Sequence, residues 1–274
     1  MTTSKRFDSM FEKLAARHEG AFVPFATVCH PTEELSFAIL KTMIESGADG
    51  LELGIPFSDP CADGLIIQHA NRRALKNGST TDRCFAVIRR LRDTFPELPI
   101  SLLVYANLVV ARGIDRFYAD AAAAGVDAIL VPDVPVQMQE GVHDFRGPAL
   151  RHGINPVLIA PPNATDETLA AIASECEGYT YVLSRFGITG TENEFGRHPD
   201  EFRKLKELKA PHTLLGFGIS TPEHVKEALK IGADGAIVGS ALVRIIEENV
   251  ANPEKMLSLI AAKVKSYKDA TRPD

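Results

Sequence analysis

The residues best equipped for chemistry are two carboxylates eleven positions apart, Glu52 and Asp63. Glu52 interrupts the apolar run Leu51-Glu52-Leu53-Gly54-Ile55, and Asp63 follows in Cys61-Ala62-Asp63-Gly64. Side chains alternate along a strand, so Glu52 points away from the face that Leu51 and Leu53 share. An ionised carboxylate is costly to bury without a partner. Glu52 is therefore either clamped by a structural Lys or Arg, or it is a proton-transfer group whose pKa is raised by desolvation. Asp63 precedes a helical pattern and reads either as that helix's N-cap or as a second working carboxylate. Two glycine turns, Gly216-Phe217-Gly218-Ile219-Ser220 and Gly239-Ser240-Ala241, let backbone N–H groups approach an anion at a helix start. Gly190, in a glycine-punctuated stretch, offers a third donor. Together these residues describe carboxylate acid/base catalysis on a small phosphorylated substrate.

The elements that must position them come in a repeated form. Gly47-Ala48-Asp49-Gly50-Leu51-Glu52 returns as Gly125-Val126-Asp127-Ala128-Ile129-Leu130 and as Gly232-Ala233-Asp234-Gly235-Ala236-Ile237. Each copy reads as a helix stop followed by a buried strand, and Leu130 and Ile237 stand where Glu52 stands. Strands are expected at 21–28, 51–55, 100–105, 128–131, 155–160, 179–183, 213–217 and 236–238. Helices are expected near 5–19, 33–46, 65–77, 82–95, 114–124, 144–152, 166–176, 199–208, 222–231, 241–248 and 253–268. From 185 to 198 no periodicity appears, which marks a candidate lid. Eight strands alternating with helices predict an α/β fold, a (β/α)8 TIM barrel with an additional N-terminal helix and extra helices. A single domain over residues 1–274 is expected, and the open doubly wound sheet is the alternative. In a barrel the C-terminal strand ends hold the working residues, which places Glu52, Asp63, Tyr105, Asn107, Asp133 and Tyr181 around one mouth.

Composition narrows the class. A net charge of −6 and no basic cluster exclude a nucleic-acid surface. No apolar run reaches the roughly 18 residues that span a bilayer, and the start of the chain reads as an amphipathic helix, so a cytoplasmic protein is expected. Four scattered cysteines without a CxxC pair, and eight scattered histidines, give no metal-ligand spacing. No metal is expected.

The chain resembles the tryptophan synthase alpha subunit family. The resemblance rests on Leu51-Glu52-Leu53-Gly54-Ile55-Pro56-Phe57-Ser58-Asp59-Pro60 with Ala62-Asp63-Gly64. It continues through Tyr105-Ala106-Asn107, Pro132-Asp133-Val134-Pro135, Pro161-Pro162-Asn163-Ala164, Tyr179-Thr180-Tyr181, Ser184-Arg185, Gly187-Ile188-Thr189-Gly190 and Gly216-Phe217-Gly218-Ile219. It implies a lyase that cleaves indole-3-glycerol phosphate to indole and glyceraldehyde 3-phosphate. By matching motif, Glu52 would be the general acid/base, Asp63 would pair with the indole N–H, and Tyr181 would help place Glu52. Phe25, Leu103 and Phe217 would line the indole slot, with Tyr105 and Thr189 also at the substrate. Gly190, Gly218, Gly239 and Ser240 would hold the phosphate. No cofactor is implied in this chain. Pyridoxal phosphate is expected on a beta-subunit partner, joined in an alpha2beta2 heterotetramer through Pro56, Phe57 and Asp59.

Two positions depart from the family pattern. Cys29-His30-Pro31 stands where Gly-Asp-Pro is usual, and Leu65 stands where Pro is usual. Both changes imply weaker coupling to a partner or altered basal turnover. Other function classes remain: a barrel that only activates its partner, against which the intact Glu52 and Asp63 count, and another sugar-phosphate barrel enzyme, against which the apolar slot counts.

Overall fold

The three Gly-x-Asp repeats act as struts. Gly47, Gly125 and Gly232 take φ of 114°, 93° and 113°, a region that favours glycine, and so each ends a helix sharply. The aspartate two residues later turns back to accept an N–H at the start of the preceding strand. Asp49 accepts from Phe22 at 2.8 Å, Asp127 from Ile100 at 2.9 Å and Asp234 from Thr213 at 2.8 Å.

The computed structural model describes residues 3–139, 144–183 and 199–272. The chain begins α1 (Arg6–Ala15), β1 (Ala21–Thr27), α2 (Glu33–Glu45), β2 (Leu51–Gly54), α3 (Leu65–Lys76), α4 (Thr81–Thr94) and β3 (Ile100–Leu103). It continues through α5 (Ala106–Arg112), α6 (Ile114–Ala124), β4 (Ala128–Leu130), a 3-10 turn (Val136–Met138), α7 (Arg146–Arg151), β5 (Asn155–Ala160), α8 (Asp166–Glu175) and β6 (Thr180–Leu183). It ends with α9 (Pro199–Glu207), β7 (Thr213–Gly216), α10 (Pro222–Lys230), β8 (Gly235–Val238), α11 (Ser240–Glu248) and α12 (Pro253–Asp269). The strands close in sequence order, all parallel, with β8 pairing back to β1. The expected (β/α)8 barrel is thus the observed one.

The core has two parts, as a barrel requires. Leu51 and Leu53 belong to the outer layer between strands and helices, together with Ile39, Met43, Ile88 and Leu91. The interior holds Val23, Phe25, Leu103, Leu130, Val157, Tyr179, Tyr181, Leu214 and Ile237. The register sets Glu52 beside Phe25 on β1 and Ser101 on β3, so its side chain points into the barrel as the alternation predicts. Beneath it α1 plugs the N-terminal end with Phe7, Met10, Phe11 and Leu14, and the Phe7 ring lies 5.0 Å from that of Tyr179. Each such side chain contributes roughly 1.5–3 kcal/mol on burial.

One helix was not expected. Residues 106–112 form α5, and Asp133, from the loop after β4, accepts from the Ala106 N–H at 3.0 Å. The cap comes from another loop, so no local sequence pattern could announce it. Tyr105 consequently precedes a helix and does not end a strand. Among the described residues no helix is long and apolar enough to cross a membrane.

Candidate active site

The C-terminal mouth of the barrel opens into a cavity of about 500 Å³, a volume that includes its solvent-filled entrance. Glu52 and Asp63 both line it. Its apolar walls are Phe25, Ile67, Leu103, Phe217, Ile219 and Ile237, and Tyr181, Gly64, Gly218, Gly239 and Ser240 complete it. Eight of the residues named from sequence therefore meet at one slot beside Glu52: Phe25, Asp63, Leu103, Tyr181, Phe217, Gly218, Gly239 and Ser240.

Glu52 is 1 % exposed. Burial raises its pKa from 4.5 to about 8; the Tyr179 hydrogen bond opposes that shift and the Asp63 charge adds to it. The Tyr179 hydroxyl donates to Glu52 Oε1 at 2.9 Å and also lies 2.9 Å from Ser101 Oγ. No Lys or Arg clamps Glu52 among the described residues, so the structural-pair reading does not apply. A carboxyl held this way is protonated at neutral pH and can still give its proton away.

Asp63 is a different case. Gly64, not Asp63, is the N-cap of α3, and no side chain caps that helix. The N-cap alternative is thereby removed. The Asp63 carboxyl is 8 % exposed and accepts from Asn71 Nδ2 at 3.3 Å, while Gln68 Nε2 donates to its backbone carbonyl at 2.8 Å. Burial raises its pKa to about 6, with Tyr105 and Asn71 opposing. Asp63 is thus largely ionised at the pH where Glu52 is largely protonated. Such a split assigns one group as acid and the other as anion.

The far end of the slot is built from backbone. Phe217 takes φ 62° and Gly218 φ 78°. A left-handed non-glycine residue costs on the order of 1–3 kcal/mol and persists only where its surroundings hold it. Here the Phe217 ring stands edge-on to Tyr181 at 6.2 Å and 72°. Gly216 makes room for that arrangement, because a Cβ there would collide with the Tyr181 hydroxyl. Next to it α11 begins at Gly239 with no side-chain cap, whereas α10 is capped by Thr221. An uncapped helix start leaves N–H groups and a positive dipole end for an anion.

Several expected residues fall elsewhere. Tyr105 sits beside the slot, accepting from the Ala62 N–H at 3.1 Å and stacked on Phe57 at 5.3 Å. Pro56 is buried, Phe57 half-buried and Asp59 exposed with its Oδ2 accepting from Ser58 Oγ at 2.5 Å. Asn107 is exposed, and Asp133 serves as the α5 cap. Thr189, Gly190 and the 185–198 stretch lie outside the described residues. The hydroxyl that holds Glu52 belongs to Tyr179, two residues before Tyr181 on the same inward face, and alternation marks both tyrosines as inward without choosing between them. Ser101, Asn71 and Ile237 were also not anticipated as site residues. Among the described residues no group of three or more His, Cys, Asp and Glu side chains could hold a metal ion.

Residues 11–272 match the family model described as tryptophan synthase alpha chain. A tryptophan synthase alpha chain from Vibrio vulnificus is 51 % identical over 268 residues, covering 97 % of this chain and 99 % of that one. The crystal structure of tryptophan synthase subunit alpha from Legionella pneumophila superposes with a TM-score of 0.86 at 31 % identity, covering 97 % and 98 % of the two chains. A structure described for the mutual activation of the tryptophan synthase a2b2 complex of Pyrococcus furiosus gives a TM-score of 0.78 at 35 % identity, covering 91 % and 97 %.

Proposed function

The chain belongs to the tryptophan synthase alpha chain family, the lyase that performs a retro-aldol cleavage, and from that premise we propose how its residues divide the work. The substrate is indole-3-glycerol phosphate, with its ring between Phe25, Leu103 and Phe217 and its phosphate at Gly218, Gly239 and Ser240. Thr189 and Gly190 join it by family motif.

Glu52 starts protonated. It gives its proton to indole C3, and the ring becomes a cationic indolenine that Asp63 stabilises at the N–H. Glu52, now a carboxylate, takes the proton from the glycerol hydroxyl next to the ring. The C–C bond breaks, its electron pair returns to the ring, and the products are indole and glyceraldehyde 3-phosphate. Glu52 ends protonated, as it began, so one carboxyl serves both transfers. The observation that carries this reading is the opposed pair in one apolar slot, Glu52 raised to about 8 and Asp63 to about 6. Tyr179 and Tyr181 are positioning groups around it.

A beta-subunit partner is supported by the a2b2 complex among the structural relatives. We place the contact at the mouth, where Phe57 and Asp59 reach the surface. Leu65, at the start of α3, and Met138, in the 3-10 turn after β4, also expose apolar side chains, 67 % and 64 % exposed. Pyridoxal phosphate would belong to that partner, an alpha2beta2 assembly is the expected stoichiometry, and a cytoplasmic setting suits such a lyase. The reading is tested by glyceraldehyde 3-phosphate release from indole-3-glycerol phosphate by the purified chain. Release is expected from the wild type and not from Glu52→Gln; equal release from both would end the assignment of Glu52.

A further inference from the structure

The Cys29-His30-Pro31 departure leads to a cluster behind the slot. His30 follows β1, is 1 % exposed, and places Nε2 2.6 Å from Glu247 Oε1. A carboxylate only accepts, so the ring proton sits on Nε2. Nδ1 is buried with no hydrogen-bond partner, so the imidazole's one satisfied nitrogen is committed to Glu247. From the other side Arg73 grips the same carboxylate at both oxygens, Nε to Oε1 at 3.1 Å and Nη2 to Oε2 at 2.8 Å. Bidentate pairing fixes orientation as well as distance. Asn77 Nδ2 also donates to the Pro31 carbonyl at 2.8 Å, tying the end of α3 to the same segment.

The two helices joined here begin at different walls of the slot. α11 starts with Gly239 and Ser240 at the proposed phosphate end. α3 starts beside Asp63, sends Ile67 into the cavity and holds the Asp63 carboxylate through Asn71. Both then run outward in contact with each other. Glu247 lies seven residues beyond Ser240, about 10 Å along α11 at 1.5 Å per residue. At that depth it is pinned to α3 by Arg73 and to the segment after β1 by His30.

We propose that Glu247 is a positioning residue that fixes the separation between the Asp63 end and the phosphate end of the slot. This rests on the reaction assigned above. A substrate that bridges both ends must match that separation, whereas a ligand occupying one end does not feel it. A misplacement of about 1 Å can cost a bridging substrate up to a hundredfold.

The experiment uses the full chain with Glu247→Ala and Glu247→Gln. KM and kcat are measured for indole-3-glycerol phosphate, and Kd is measured separately for indole and for glycerol 3-phosphate. Glu247→Ala is expected to raise KM on the order of tenfold, while both single-end affinities stay within about twofold. Glu247→Gln is expected to fall between, because its carboxamide oxygen still accepts one of the donors. An unmoved KM overturns the proposal, and so does a parallel loss of all three affinities, which reports general loosening. If the alanine variant does not fold, the isosteric glutamine variant carries the same comparison. An inactive wild type overturns the assigned reaction and this proposal with it; an active wild type with unmoved variants overturns the positioning role alone.

Discussion

Buried carboxylates occur at both ends of this barrel, and the two ends treat them in opposite ways. At the floor Asp127 accepts from Arg92, Arg6, Ser4 and the Ile100 N–H. The partly buried Asp49 has Lys268 and the Phe22 N–H, and the more exposed Asp234 has His212 and the Thr213 N–H. At the mouth Glu52 has a phenol and Asp63 has an amide and a phenol, with no cation beside either among the described residues. Burial without a countercharge raises a carboxyl's pKa. The floor therefore uses charge to tie strands together, although burial still raises the Asp49 carboxyl beside Lys268, and the mouth withholds charge to keep protons transferable. The same residue type reads as structural or chemical according to what surrounds it.

The largest test of that contrast is Glu52→Gln. Loss of general acid/base catalysis typically costs 10²–10⁴-fold, so kcat should fall by on the order of a thousandfold. Stability should move the other way. The folded Glu52 holds a proton up to about pH 8, while the unfolded chain releases it near 4.5. Wild-type stability therefore falls as pH rises through that window and levels off above it. The glutamine variant lacks this penalty and should exceed the wild type by a few kcal/mol, roughly 2–5, at pH 9, with little advantage at pH 4. Urea midpoints at the two pH values check it, and a variant less stable at pH 9 would contradict the account of the mouth.

Asp127→Ala probes the other end. It strands Arg92, whose side chain is only 12 % exposed, and removes the acceptor of the Ile100 N–H. Breaking a buried pair from one side costs ~3–5 kcal/mol. Unfolding midpoints should drop accordingly, while KM for the substrate stays put in the folded fraction. A kinetic defect without a stability loss would erase the distinction between floor and mouth.

Tyr179→Phe is a smaller intervention at the mouth. Its hydroxyl favours ionised Glu52, so its loss should push the Glu52 pKa still higher, by about one unit for one hydrogen bond. The wild-type profile of kcat/KM should be a bell, rising near pH 6 as Asp63 ionises and falling near pH 8 as Glu52 deprotonates. The variant should keep the acidic limb and shift the basic limb upward. A basic limb that stays in place would show that the Tyr179 hydroxyl does not set the Glu52 pKa.

Sequence carried the frame and the acid more clearly than the supports. Strand alternation put Glu52 inside, and the Gly-x-Asp repeats gave the strand spacing, because both signals are local. The glycines at 218 and 239 were legible for the same reason. Tyr179 over Tyr181 was not, since the choice depends on which side chain shares a layer with Glu52 across the barrel. The α5 cap by Asp133 and the contact between His30 and Glu247, 217 residues apart, also depend on closure. Side-chain partners across a closed sheet are a tertiary fact, and no local period encodes them.

The smallest test returns to Leu65, which opens α3 just after the Asp63 loop. Gly64 before it is extended, φ −71° and ψ 163°, a conformation that tolerates a following proline. Leu65 is 67 % exposed, so its side chain adds little packing. The first N–H groups of a helix lack intrahelical partners, so proline there forfeits no helical hydrogen bond. Leu65→Pro should then act mainly on the unfolded chain, stabilising by ~0.4–1 kcal/mol and raising Tm by about 1–4 °C. Turnover by the isolated chain should change less than about twofold, since Asp63 keeps Asn71. A lower Tm would mean that Leu65 packs against something the exposure does not reveal. A rise accompanied by much faster turnover would mean that slack in the loop, and not only the missing countercharge, separates the mouth from the floor.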